Sequence, residues 1–225
     1  MSTLPGRSFA EAVGTAGLLA VVVGSGIMGQ RLGDGSPYLA LLANSLATGC
    51  GLFALIVAFG PFSGAHFNPV VTLSSAVRGD TPWSDVPAYV AAQFVGAIIG
   101  VMVAHAMYEL PLVQAFASPR TGFAQWLSEA VATFGLLMVI FRCDASRPWA
   151  APFAVATYIT AAYWFTSSTS FANPAVTLAR GITGTFSGIR MEDVPQFIVA
   201  QLVGTLLVLV ADRAFRTMAR TAPTP

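Results

Sequence analysis

From Gly35 to Val77 the chain runs 43 residues without a single Asp, Glu, Lys or Arg. A soluble domain carries about 25% charged residues, so a stretch like this cannot form an ordinary water-facing surface. The pattern recurs. Ala12–Gln30 (19 residues), Val86–Tyr108 (23), Pro148–Ala179 (32) and Val194–Ala211 (18) are also charge-free, and Thr121–Phe141 holds only Glu129. Overall, 9% of the 225 residues are charged and 55% are hydrophobic. A membrane helix needs about 20 mostly apolar residues. The runs predict six spans centred near 9–29, 39–60, 87–108, 122–141, 150–166 and 194–212, in one all-α membrane domain covering residues 1–225.

The same arithmetic narrows the partners. Eleven basic residues, all Arg, nearly cancel ten acidic ones, so neither a nucleic-acid partner nor a strongly charged substrate is expected. Cys50 and Cys143 have no metal-ligand spacing around them, so no metal or other cofactor is expected. The apolar stretch after Arg7 is interrupted early by Glu11 and has no clear cleavage site, so it reads as the first span rather than a signal peptide. With six spans and the N-terminus inside, Arg7, Arg78, Arg142, Arg147, Arg213, Arg216 and Arg220 fall on the cytoplasmic side. Arg31, Arg120, Arg180 and Arg190 fall opposite. The excess places both termini in the cytoplasm.

Two of the runs are too long for one span and lack the polar turn needed for two. The first contains Ser63-Gly64-Ala65-His66-Phe67-Asn68-Pro69-Val70-Val71-Thr72-Leu73, the second Ser170-Phe171-Ala172-Asn173-Pro174-Ala175-Val176-Thr177-Leu178. Asn is a good N-cap, and Pro suits the first helical position. Each segment predicts an extended stretch entering a short helix. Irregular backbone at membrane depth survives only when buried in protein or lining a wet cavity, so these are predicted to be re-entrant loops with half-helices.

Other features recur around them. Glu11 and Thr15 are echoed by Glu129 and Thr133, Asp85-Val86-Pro87 by Asp193-Val194-Pro195, and Gln93-Phe94-Val95-Gly96 by Gln201-Leu202-Val203-Gly204. The chain therefore divides into repeats of about 8–108 and 122–215. Three spans per repeat make each half leave on the side opposite to its entry, so the two must be related by an inverted twofold axis.

With these motifs the chain resembles the aquaporin, or major intrinsic protein, family along its whole length. The S-G-A-H-x-N-P block at Ser63–Pro69 and the N-P-A at Asn173–Ala175 carry the resemblance. It implies six tilted helices, two half-helices meeting at the midplane, one pore per subunit and a homotetramer. Val70 replaces the usual Ala of the first motif, and Val176 stands where most members place Arg.

Paired half-helix N-termini put positive dipole ends at the pore centre, where the Asn68 and Asn173 amides donate to a passing oxygen while cations are repelled. Ionisable residues inside spans suggest function by default. Here the resemblance implies instead that Glu11 and Glu129 anchor the re-entrant loops, with His66 as the family's loop histidine. Counting without gaps from the Asn-Pro anchors places a selectivity filter at Thr48, Ala161, Ser170 and Val176, with Phe171 replacing Ser170 if the loop is one residue shorter. Arg180 lies one helical turn beyond Val176, about 6 Å outward. It either reaches back into the filter or snorkels at the half-helix end, and its counterpart Arg78 favours snorkelling.

The expected function is a passive channel, not an enzyme, for water, glycerol-like polyols and larger neutral hydroxylated solutes. The Arg-less ring looks like a bacterial metalloid-associated branch, which makes arsenous or antimonous acid a further expected solute and a bacterial inner membrane the expected location. The alternatives are a secondary transporter built from inverted repeats and a water-selective channel filtered by Arg180.

Overall fold

The structure, a computed structural model, describes residues 3–114, 118–143 and 149–221. It contains α1 (Leu4–Leu32), α2 (Pro37–Ser63), α3 (Pro69–Arg78), α4 (Val86–Met107), α5 (Phe123–Arg142), α6 (Ala150–Phe165), α7 (Pro174–Arg180) and α8 (Val194–Thr221), with a 3-10 turn at Met191–Asp193 before α8. No strand occurs among the described residues. Arg147, counted above for orientation, lies outside them, as does the side chain of Arg220.

Prolines set several helix starts, as their missing N–H and fixed φ allow. Ser36 caps α2 before Pro37, Asn68 caps α3 before Pro69, and Asn173 caps α7 before Pro174. At the other ends, Gly64 and Gly79 close α2 and α3 at φ of +86° and +83°, a conformation only glycine adopts freely.

Helices α1, α2, α4, α5 and α8 are long and apolar enough to cross a membrane. The fifth expected span corresponds to α6, whose 16 residues reach about 24 Å. The last helix passes the expected boundary near 212 and runs to Thr221, with an i,i+4 ion pair between Asp212 and Arg216 on the extension.

Glycines bring the long helices into backbone contact. A Cβ on Gly96 or Gly100 of α4 would lie 2.2 Å from the carbonyl oxygen of Ala12 or Ala16 on α1. The same approach recurs in the second half, where a Cβ on Gly204 of α8 would lie 2.3 Å from the Ala130 carbonyl of α5. Thus α1 packs on α4 and α2, α5 packs on α8 and α6, and α2 meets α6 across the halves. The half-helices α3 and α7 touch each other inside this shell.

Candidate functional site

The site begins with strained backbone. Ala65 and Phe67 before α3, and Ser170 and Ala172 before α7, take left-handed φ values of 47° to 51°. For residues with a Cβ this costs about 1–3 kcal/mol each and persists only where the surroundings enforce it. Two buried carboxylates provide that enforcement. Glu11 accepts from the His66 N–H at 3.0 Å and the Phe67 N–H at 2.7 Å, while Glu129 accepts from the Phe171 and Ala172 N–H groups at 2.8 and 2.9 Å. In a trans peptide the C=O points opposite the N–H. The carbonyls sharing those peptides therefore point away from each Glu, towards the cavity these loops line.

A second bracket ties each loop to its half-helix. Gln93 of α4 donates to Glu11 at 2.8 Å and to the Thr72 hydroxyl at 2.9 Å. Gln201 of α8 donates to Glu129 at 2.7 Å and to the Thr177 hydroxyl at 2.8 Å. Each Thr hydroxyl in turn donates to the carbonyl of its Asn cap. Counting the Ser63 hydroxyl at 2.6 Å, Glu11 receives four donors. The Thr partners are legible in hindsight, because both motifs carry Thr four residues after Asn.

The two motifs then cross-brace. The Asn68 amide donates to the Ala172 carbonyl and the Asn173 amide to the Phe67 carbonyl, both at 2.8 Å. Each Asn thus binds the residue preceding the other. Their side-chain oxygens accept from the first turn of their own half-helices, from Val70 at 3.1 Å and from Ala175 and Val176 at 3.0 and 3.2 Å. An Asn amide has two N–H donors, so one remains on each for a solute. Both Asn residues line one cavity of about 270 Å³. Pro69, Val70, Pro174 and Ala175 are buried in the first turns of the half-helices and are not among its lining residues.

That cavity meets Arg78 and Asp80 at one end and Thr48, Tyr163 and Arg180 at the other. Its walls are mostly apolar, with Leu18, Val22, Leu52, Leu136, Val155 and Ile159 among them. His66 lines it too, with its ring Nδ1 3.1 Å from the Thr72 hydroxyl and its ring against Tyr89 at 5.4 Å between centroids.

Of the four filter positions expected, Thr48, Ser170 and Val176 line the cavity, and so does the alternate Phe171. Ala161 does not: it sits on the exposed face of α6. The lining positions of that helix are Ala151, Val155, Ile159 and Tyr163, spaced four apart, and Ala161 lies two residues off that stripe. Ungapped counting failed because the segment from α6 to Asn173 is irregular. Tyr163 was missed for the same reason; its hydroxyl is 3.2 Å from that of Thr48. The Ser170 hydroxyl is buried and has no hydrogen-bond partner among the described residues.

Arg180 overturns the snorkelling expectation. Only 2% exposed, it lays its guanidinium carbon 3.4 Å from the centroid of the Phe171 ring. Its Nε donates to the Ser187 carbonyl. Arg120 faces the same ring at 5.1 Å and donates to the carbonyls of Gly188 and Ser168. Arg78 does not snorkel either: it pairs with Asp212 and Asp80, packs on Phe141 and lines the cavity. The roles of Arg120 and Asp212 carried no sequence signal, since each depends on loops or helices distant in the chain.

This arrangement has relatives. Residues 2–148 match the major intrinsic protein family. The chain is 52% identical over 207 residues to Aquaglyceroporin AqpS of Rhizobium meliloti (strain 1021), covering 92% of this chain and 88% of that one. It is 33% identical over 155 residues to the glycerol uptake facilitator protein of Bacillus subtilis (strain 168), covering 61% and 54%. The fold superposes on the X-ray structure of the aquaglyceroporin from Plasmodium falciparum with a TM-score of 0.73 and 20% identity, over 92% of this chain and 94% of that one. The buried Glu brackets, the crossed Asn caps and the cavity they line therefore sit in a chain that belongs to the major intrinsic protein family.

Proposed function

We propose that this protein is a passive channel for small uncharged solutes, conducting glycerol-like polyols and water and excluding ions and protons at the paired Asn caps. The observation that carries the reading is the cavity running past both Asn68 and Asn173, with a second amide N–H on each beyond the one spent on the cross-brace. Apolar walls face the carbon side of a polyol, while Ser170, Thr48 and Tyr163 face its hydroxyls. The close likeness to an aquaglyceroporin supports the same class.

The filter is formed by Thr48, Tyr163, Phe171 and Val176, with Ser170 beside it and Arg180 above. The Arg-less position at Val176 leaves the ring wide enough for neutral trivalent metalloid hydroxides such as arsenous acid. The subunit is one domain whose halves are related by an inverted twofold axis. It assembles as a homotetramer in a bacterial inner membrane, surrounded by lipid, with both termini cytoplasmic and no catalytic step.

One observation favours a narrower pore: Arg180 is among the residues lining the cavity. If it projects across the lumen, water passes and polyols are retarded. The secondary-transporter alternative is weaker, because the buried carboxylates it would use for ion coupling are occupied by loop N–H groups and glutamine amides.

Stopped-flow light scattering on proteoliposomes tests the proposal. Glycerol and water fluxes above those of empty vesicles, linear in solute concentration, are expected. Saturating flux that follows a proton or sodium gradient would establish a carrier, and no flux above empty vesicles would remove the open-channel reading.

A further inference from the structure

Where α3 ends against α8, a crevice is lined by Arg78, Arg213, Arg216, Asp212, Leu209 and Val77, together with Thr217. Buried Asp212 accepts from Arg78, Arg216 and the α5 residue Arg142. Asp80 adds a second carboxylate, on Arg78. Among the described residues four guanidinium groups thus face two carboxylates, which leaves two net positive charges at the crevice. Arg213 and Arg216 are exposed at its rim.

The neighbouring surface tells what kind of anion fits. Leu206, Val210, Arg213 and Thr217 fall at i, i+4, i+7 and i+11 of α8, along one helix face. Leu206 and Val210 are 63% and 62% exposed. In the bilayer this apolar strip runs along an acyl chain and leads straight to the arginines at the headgroup level. Guanidinium groups bind phosphate oxygens in a forked geometry, and basic pockets between membrane helices hold anionic headgroups. A free phosphate uses the arginines but has no use for the strip.

We propose that the α3–α8 crevice is a binding site for the phosphate of an anionic phospholipid, with Arg213 and Arg216 as its outer ligands and one acyl chain along Leu206 and Val210. Arg78 lines both this crevice and the channel, so the bound lipid sits one side chain from the lumen.

The test is native mass spectrometry of the purified full-length protein in neutral detergent, titrated with dioleoyl phosphatidylglycerol or dioleoyl phosphatidylcholine. The anionic lipid should bind at least tenfold more tightly. Each arginine near the surface is worth about fivefold in such binding, so Arg213→Gln should weaken phosphatidylglycerol about fivefold and Arg213→Gln/Arg216→Gln about 25-fold, with phosphatidylcholine unchanged. Inorganic phosphate at millimolar concentration should leave the bound lipid in place. Equal retention of the two lipids overturns the proposal, as does an unchanged preference in the variants. Displacement by inorganic phosphate also overturns it, in favour of a free-phosphate site. If the double variant fails to fold, Arg213→Gln alone decides, since Arg213 takes no part in the Asp212 ion pairs.

Discussion

Arg180 stacks its guanidinium on the face of Phe171, 3.4 Å from the ring centroid, at the mouth of the cavity whose centre is Asn68 and Asn173. A cation over an aromatic face is attracted by the ring quadrupole, which fixes its position. Val176 stands where the family resemblance places Arg, and Arg180 lies one helical turn beyond it, about 6 Å.

Arg180→Ala tests whether the displaced charge governs selectivity. Its loss should raise glycerol permeability relative to water by roughly tenfold, equivalent to about 1.4 kcal/mol of barrier. Ion exclusion should weaken at the same time, read as dissipation of a potassium diffusion potential in proteoliposomes. An unchanged glycerol-to-water ratio would show that Phe171 and Tyr163, not Arg180, set the constriction.

Asn173→Asp replaces a donor with a carboxylate at the meeting point of two positive helix ends. The bond to the Phe67 carbonyl is lost, since an ionised carboxylate only accepts. Neutral-solute flux should fall several-fold, and cation leak should appear. Normal flux with intact ion exclusion would reduce the amide to a helix cap.

The sequence reading reached most of this design because its parts repeat. Two Asn-Pro motifs, with two Glu and two Gln at matched spacing, yielded the half-helices and the inverted repeat, and the family resemblance added the anchoring role of the carboxylates. What it missed had no local pattern. Ala161 was assigned by ungapped counting, and the irregular stretch between α6 and α7 broke the count. Ile159 and Tyr163 face the cavity only because α6 turns that stripe inward against α2 and α5. Arg180 was expected at the lipid interface because a lone Arg at a helix end commonly snorkels. Its burial depends on Phe171, in the loop before α7, and on Ser187, in the folded loop after it.

Glu11→Gln and Glu129→Gln test the loop anchors. Each change swaps an acceptor-only group for one that must place a donor among N–H groups already pointing at it. Losing charge-assisted bonds costs about 1.5–3 kcal/mol apiece, so both variants should show lower thermal stability and reduced flux. Neither should create or remove dependence on a proton or sodium gradient; a carrier would lose gradient dependence in one of them.

Gly96→Val probes the contact between α1 and α4. The new Cβ would fall 2.2 Å from backbone oxygen, which no side-chain rotation relieves. Overpacking of this kind costs about 1–3 kcal/mol or more, so folded yield in detergent should drop sharply. Gly60→Val, where an added Cβ meets nothing within 4 Å, is the control and should fold normally.

Val176→Arg places a second guanidinium in the lumen, and its outcome separates the two pore readings. The new side chain lies one turn from Arg180, so the two charges sit about 6 Å apart. At an effective dielectric of 20 their repulsion is about 3 kcal/mol, enough to push one aside or draw in an anion. If the chamber beside Val176 is the filter, the larger side chain should slow glycerol and arsenous acid far more than water. Combining it with Arg180→Ala removes the repulsion while keeping the bulk, so the double variant should regain water flux yet remain closed to the larger solutes. If the double variant instead passes glycerol as freely as Arg180→Ala alone, Val176 does not face the constriction, and selectivity resides at the Arg180–Phe171 pair.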